Sequence, residues 1–253
     1  MGTRIQHVAA VAVAVPVLAL TAACSGGGDG SGDGGAKDKG TPGAARDGAG
    51  AGGGGAAKGG VPPLSTAELE SALLTKGDVP GWTTGSADAD AIVPKERFGT
   101  DREACAPVAD VLSSEPKYAR TAYTSGSLVK GGAAGGGTVH SVLLAAHERG
   151  EAAKWLTELR GAVRSCDAFT GTGGAGGPRY EVAPEDPGAP AGDDSVAFRL
   201  TGAGDASDLV VTVVRTGANT ASYLSFGVAD TPEPIERKVA VRQHEKLVEA
   251  AAG

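Results

Sequence analysis

The side chains that could carry chemistry are sparse: four histidines, scattered pairs of carboxylates and 42 glycines. His147-Glu148 opens the HExxH pattern, in which two histidines one helical turn apart hold zinc while the glutamate acts as base. Position 151 is Glu151 where the second histidine must stand, so solvated charge at a helix start explains the pair better. Gly171, Gly173 and Gly176 copy the spacing of a dinucleotide-binding turn. Pro178 and a strand-like run from Arg179 to Val182 follow where a helix must begin, and in so glycine-rich a chain the match is cheap. Asp29, Ser31, Asp33 and Gly34 resemble the start of a calcium loop, whose twelfth position needs a bidentate glutamate and here is Gly40. No serine sits in a GxSxG elbow. His140 in a strand and His244 in a helix read as structural histidines. The sharpest polar group is Asp193-Asp194 before a strand, with Arg199 and Arg215 on strands that can be neighbours. Its functional reading is a polar cleft of Asp194, Arg199 and Arg215 in which an arginine meets an anion. Its plainer reading is a turn aspartate and salt-bridged arginines. No catalytic set, metal site or cofactor site is expected.

The three cysteines divide into one and two. Cys24 ends a short apolar run that begins after Arg4, in the context Leu20-Thr21-Ala22-Ala23-Cys24-Ser25. A charged start, an apolar stretch too short to span a bilayer and small residues before a cysteine have the layout of a secretory signal peptide, 1–23. The pattern resembles the bacterial lipobox, with Thr21 in place of the usual leucine and Leu20 one position further back. That resemblance implies a thiol lipidated at Cys24, and more than one acyl chain makes a stable anchor where a single chain is marginal. An ordinary secreted protein with a free thiol is the competing reading. Cys105 and Cys166 remain as a pair, and outside the reducing cytoplasm they are expected to form a disulfide. Their distance apart and lack of nearby ligands do not resemble a zinc site.

Beyond the cysteine, 24–60 is almost wholly Gly, Ala, Asp, Lys and Ser. Such a stretch buries too little apolar area to offset its ordering entropy and is expected to be a disordered linker with a mean reach of roughly 30 to 35 Å. All Phe, Tyr and Trp residues lie after it, so 61–253 is expected to be one domain with its own core. The chain has 23 Lys and Arg against 30 Asp and Glu, a formal net charge of −7, and loss of the signal removes a further positive charge at Arg4. This acidity argues against nucleic acid as a partner and against recruitment by anionic head groups.

The elements that must position any site are readable from period and punctuation. Ser65 and Glu68 form a capping box, with Leu64 and Leu69 as a hydrophobic staple, for a helix that Gly77 and Pro80 stop after Thr75. A short helix is expected over 107–112. Ala152, Trp155, Leu156, Leu159 and Val163 mark a longer one between Gly150 and Cys166. A last helix is expected over 232–251, opened by Asp230 or Thr231 with prolines in its first turn. Between them the pattern alternates. Strands are expected over 118–129, 138–145, around Val196, Phe198 and Leu200, and over 209–214 and 221–228, with a turn at Gly217-Ala218-Asn219. Short connections imply antiparallel pairing. The fold class is therefore α+β, a largely antiparallel sheet flanked by helices, in a single domain after the linker.

Several of these landmarks together resemble a known family. Leu73-Leu74 run into Asp78-Val79-Pro80-Gly81-Trp82, then Cys105-Ala106-Pro107. A helix ends at Cys166 with Phe169 following. The segment from Gly192 to Arg199 leads into a strand whose partner carries Val213-Val214-Arg215, and a final helix contains Gln243 to Leu247. The chain resembles actinobacterial lipoproteins of the PknH-like extracellular sensor-domain family. That resemblance implies a Mog1- and PsbP-like sheet with helices and a cleft on one side, and binding in preference to catalysis. The chain differs from kinase-linked members in having one disulfide pair, no kinase domain and a lipid anchor.

The expectation is a lipid-anchored protein on the outer face of the cell membrane with a non-enzymatic sensor-like domain. Its partners are the membrane, through the N-terminal lipid, and an envelope lipid, metabolite or protein. A cell-envelope hydrolase or transferase with a spatially assembled site is one alternative, and a structural interaction protein without a small ligand is another.

Overall fold

The strand Leu209–Thr216 is buried along almost its whole length, on both of its faces, and the rest of the domain is arranged to cover it. The computed structural model describes residues 60–86, 97–131, 138–172, 177–187, 191–227 and 231–253, within one unit spanning Gly53–Gly253. Cys24, the segment 1–59, Gly173, Gly176 and Asp230 lie outside the described residues.

Nine strands are described: β1 (Trp82–Ser86), β2 (Gly99–Thr100), β3 (Ala122–Lys130), β4 (Thr138–Ala146), β5 (Ala168–Thr172), β6 (Arg179–Glu185), β7 (Asp194–Gly202), β8 (Leu209–Thr216) and β9 (Asn219–Gly227). They form one sheet in the order β1-β3-β4-β9-β8-β7-β6-β5-β2. Every pairing is antiparallel. The helices are α1 (Thr66–Ala72), α2 (Ala106–Ala109) between two short 3-10 turns, α3 (Glu151–Ser165) and α4 (Arg237–Ala250). The structure thus has the α+β class and the antiparallel sheet that the sequence implies.

Side chains alternate across a strand, and both alternations of the central strands are apolar. Leu209, Val211 and Val213 join Val196, Phe198 and Leu200 beneath α2 and α3 in one core. Val214, Ala221, Tyr223 and Leu144 join Leu69, Val239 and Leu247 of α1 and α4 in a second core on the opposite face. Helices therefore cover both faces, which explains why β8 reads as a continuous apolar run.

Local chemistry sets the element ends. The capping box is present, with the Ser65 N–H donating to Glu68 Oε2 at 2.7 Å and the Glu68 N–H to Ser65 Oγ at 3.4 Å. α1 stops at Ala72, three residues before the expected Thr75. Asp78 Oδ2 accepts from the Thr75 N–H at 2.7 Å and from its hydroxyl at 2.9 Å, a local arrangement that competes with another helical turn. α4 starts at Arg237 instead of residue 232. Pro232 and Pro234 each push the preceding residue out of the helical region, so helix begins only beyond them. The two-residue link between β8 and β9 turns on Gly217, whose φ of +63° only glycine adopts easily. Asn219, fully buried, then holds the start of the domain, accepting from the Leu64 N–H at 3.0 Å and donating to the Pro62 carbonyl at 2.7 Å.

Cys105 and Cys166 are joined, 61 residues apart in sequence, and both are buried. The bond ties the turn before α2 to the end of α3. Replacing both cysteines by serine is expected to lower unfolding free energy by about 4 kcal/mol, read as a shift of the urea midpoint relative to the oxidised chain. An unchanged midpoint would show that packing alone fixes α2 on α3.

Two buried histidines give the domain an acid limit. His140 donates or accepts at Ser225 Oγ, 2.7 Å away, and packs on the Trp82 ring. His147 Nδ1 donates to the Ala119 carbonyl at 3.2 Å, leaving Nε2 to accept from Thr220 Oγ1 at 3.1 Å. Burial lowers both to about 4, helped at His147 by Arg120 and opposed at His140 by Glu236. The folded state therefore binds fewer protons than the unfolded chain below pH 6.5. Stability is expected to fall as pH drops from about 6.5 to 4, by up to about 3 kcal/mol for each histidine. Thermal melts across that range in wild type and H147N test this, the variant showing a shallower decline.

Candidate functional site

The three polar residues expected to share a cleft are divided by the sheet. Asp194 and Arg215 face each other across β7 and β8, whereas Arg199, five residues after Asp194 on the same strand, points to the other face. Asp194 pairs with Arg160 of α3. Arg215 Nη1 donates to Asp193 Oδ2 at 3.2 Å and to the Gly217 carbonyl at 3.1 Å, while Asp193 also accepts from the Gly217 N–H. Arg199 Nε donates to Glu185 at 2.7 Å and Nη1 to the Pro232 carbonyl at 3.2 Å. Each arginine already holds a carboxylate, and each also braces a loop. A hollow of about 250 Å³ lies beside this group, between Arg160 and Arg164 of α3 and Pro184 and Ser195 of the sheet.

The remaining sequence candidates are also separated. His147 meets a carbonyl and a threonine, not Glu148 or Glu151, and His244 Nδ1 lies 2.8 Å from Thr216 Oγ1. Gly171 sits in β5 with its N–H on the Pro178 carbonyl, and a side chain there would run into Phe98. Among the described residues no three metal-ligating side chains cluster.

A different site lies on the α1 and α4 face. A cleft of about 250 Å³ opens between the end of α1, the edge strand β1, the middle of β3 and α4. Leu73 and Leu74 form one wall, Leu128 and Val142 the floor beside Gly126, and Gln243 belongs to the α4 side. Glu70 is the one ionisable side chain in the lining and is exposed.

Gly126 explains the space. Its φ is not positive, so no turn demands glycine there, and glycine in a strand interior sacrifices roughly 0.5–1 kcal/mol relative to alanine. A Cβ at this position would meet the Gly85 carbonyl oxygen at 3.3 Å and Leu73 Cδ2 at 3.4 Å. The missing side chain lets the end of α1 come down beside β3 without filling the hollow.

Gln243 explains the polarity. It occupies the apolar face of α4 between Val239 and Leu247 and has no exposed surface. Its Nε2 donates at 2.7 Å to the Ala72 carbonyl, one of the groups that the last turn of α1 leaves without a helical partner. Its Oε1 is buried with no hydrogen-bond partner.

Asp78 fixes the wall. Besides holding Thr75, it accepts from Lys246 Nζ at 3.0 Å and pairs with Arg242 at 3.4 Å, both on α4. The Thr75 N–H, then the Lys246 ammonium, hold its carboxyl well below the usual carboxylate range against the opposing effect of burial. The segment after α1 is thereby tied to α4.

Sequence reasoning missed this site. Leu73, Leu74 and Gln243 were legible only as fold landmarks, and Gly126 as one glycine of many. The available signals were a glutamine four residues from an apolar neighbour on either side of its helix face, and a glycine inside an alternating strand.

Among the described residues, no helix is long and apolar enough to cross a membrane. No protein-family model matches the chain, and no curated protein matches it. Among solved structures it is similar to the extracellular domain of PknH from Mycobacterium tuberculosis, with 13% identity, a TM-score of 0.47, and coverage of 76% of this chain and 99% of that one. It is also similar to a putative uncharacterized protein (Rv0999 ortholog) from Mycobacterium smegmatis, with 12% identity, a TM-score of 0.39, and coverage of 74% and 95%.

Proposed function

We propose that this chain is a non-enzymatic binding module, held on the outer face of the cell membrane by lipid on Cys24, spaced by 24–60, with a cleft in the 61–253 domain for a small apolar envelope ligand. The observation that carries the reading is an apolar hollow between the end of α1 and strands β1 and β3, with a mid-strand glycine in its floor. Ligand sites combine an apolar lining with few, fixed polar groups, and this lining fits that description. The ion pairs around Asp194, Arg199 and Arg215 brace loops on both sheet faces. They leave the apolar cleft as the better place for a ligand.

The anchor and the cleft are tested separately. Replacing Cys24 by serine is expected to move the protein from the membrane fraction to the soluble fraction of its own cells. A C24S protein that stays with the membrane would refute the lipid anchor.

For the cleft, the probe is N-phenyl-1-naphthylamine, a neutral dye whose fluorescence rises in apolar surroundings. The full oxidised chain is expected to enhance it saturably. G126V, which fills the floor, is expected to weaken binding at least tenfold, and G126A, which needs Leu73 and the Gly85 carbonyl each to yield by a small shift, to weaken it less. A folded G126V that binds the dye as tightly as wild type would place the dye elsewhere and defeat the assignment.

A further inference from the structure

The second hollow, between α3 and the strands β6 and β7, lies on the opposite face of the sheet from the apolar cleft and encloses about 250 Å³. We propose that it is a site for a small organic anion, one oxyanion group on an apolar body the size of a single ring, with Arg164 as the group that recognises the charge. The two sites share no lining residue, so each stands without the other.

Charge is the first ground. Residues four apart on a helix are neighbours, and like charges placed there repel. Arg160 and Arg164 stand in that relation on α3, and both line the hollow. Arg160 is answered by Asp194, and it also donates to the Ser195 carbonyl at 3.3 Å. Arg164 is not answered. Its Nε donates to the Arg160 carbonyl at 3.1 Å, which draws the side chain back toward the preceding turn. Among the described residues no carboxylate pairs with it, and its Nη1 and Nη2 have no partner. The one carboxylate in the lining, Glu185, is held by Arg199 at 2.7 Å. Arg160, Arg164 and Arg199 therefore meet only Asp194 and Glu185, which leaves one positive charge over in a chain whose net charge is −7. The last turn of a helix favours a cation. That accounts for an arginine at 164, but not for a repelling pair of them beside a hollow.

Shape is the second ground. Val163 and Val196 of the lining are buried, and Pro184 and Pro187 add apolar surface to the wall. The space equals roughly eight water-sized groups at about 30 Å³ each. A six-carbon ring fits within it, with a charged substituent at the rim, where Arg164 is exposed. A planar oxyanion accepts two parallel hydrogen bonds from a guanidinium. A neutral ring of the same size leaves the charge of Arg164 unpaired, and a cationic one meets two guanidinium groups.

The test is a nuclear magnetic resonance titration of the full oxidised chain with three probes of similar size: benzoate, its neutral isostere benzamide, and benzylamine. Benzoate is expected to bind saturably, shifting the Arg164 Nε–H signal and the backbone amides of Val163 and Val196. Its affinity at low salt is expected to exceed that of benzamide by at least about fivefold, and the advantage is expected to shrink as salt is added. Benzylamine is expected to be the weakest of the three. R164Q, a change at an exposed side chain whose fold the same spectrum verifies, is expected to remove the advantage of benzoate over benzamide. R164K keeps the charge without the planar fork and is expected to retain only part of it. Benzamide matching benzoate on the wild-type chain, or R164Q binding benzoate as tightly as wild type, would overturn the recognition of charge by Arg164. Benzoate that produces no saturable shift at the hollow would overturn the site itself. Folded G126V is expected to bind benzoate as wild type does. Loss of benzoate binding in that variant would put the anion in the α1 cleft and defeat the assignment.

Discussion

Burial of β8 on both faces is the constraint from which the rest of the domain follows. A strand whose two alternations are both apolar cannot lie on a one-sided sheet, so the chain must supply cover twice. It does so with α2 and α3 on one face and α1 and α4 on the other. The two covers are secured differently. α3 is fixed covalently at its end through Cys166 to Cys105. α1 and α4 are fixed to each other by polar contacts, Gln243 to the Ala72 carbonyl and Asp78 to Lys246 and Arg242. The disulfide-tied cover lies over the face that carries Phe198 and Leu200, and the non-covalent cover lies over the face that carries Val214 and Tyr223.

The cleft is a consequence of how short that second cover is. α1 has seven residues, about 10 Å of helix at 1.5 Å per residue, and its start is fixed by Leu64 against buried Asn219. From that point it reaches β3 but does not cross the edge strand β1. Asp78 prevents it from lengthening by taking the Thr75 N–H and hydroxyl. The floor beyond its end is then open unless side chains rise to fill it, and at Gly126 none does. The same interactions that end the helix therefore set the size of the hollow and the position of its leucine wall.

Much of the framework was legible because it depends on neighbours in sequence. The capping box at Ser65 and Glu68, the apolar spacing from Ala152 to Val163 and the glycine turn after Thr216 are local patterns, and cysteine parity singles out Cys105 and Cys166. The misplaced helix ends have equally local causes that compete with the periodic signal, Asp78 at one helix and two prolines at the other. The sites were harder to see because they depend on which face a residue occupies. Asp194 and Arg199 are five apart, an odd number, and so cannot share a face of a regular strand. That parity was present in the sequence. The register that sets Asp194 opposite Arg215 was not, and neither was the identity of Arg160 as the partner of Asp194.

Three of the locally unfavourable choices of the α1 and α4 side border the cleft, whereas the unpartnered Trp82 Nε1 and Tyr223 hydroxyl of the same core do not line it. Gly126 forgoes strand propensity, Gly85 beside it does the same on the edge strand, and Gln243 puts an amide into an apolar helix face with half of its hydrogen-bonding capacity unused. Leucine or methionine at 243 would leave the Ala72 carbonyl without its donor, so the amide has a structural role in joining α1 to α4. The three choices have opposite physical characters: two remove atoms and one adds a polar atom. The two glycines set the space, and Gln243 ties the end of α1 to α4 beside it.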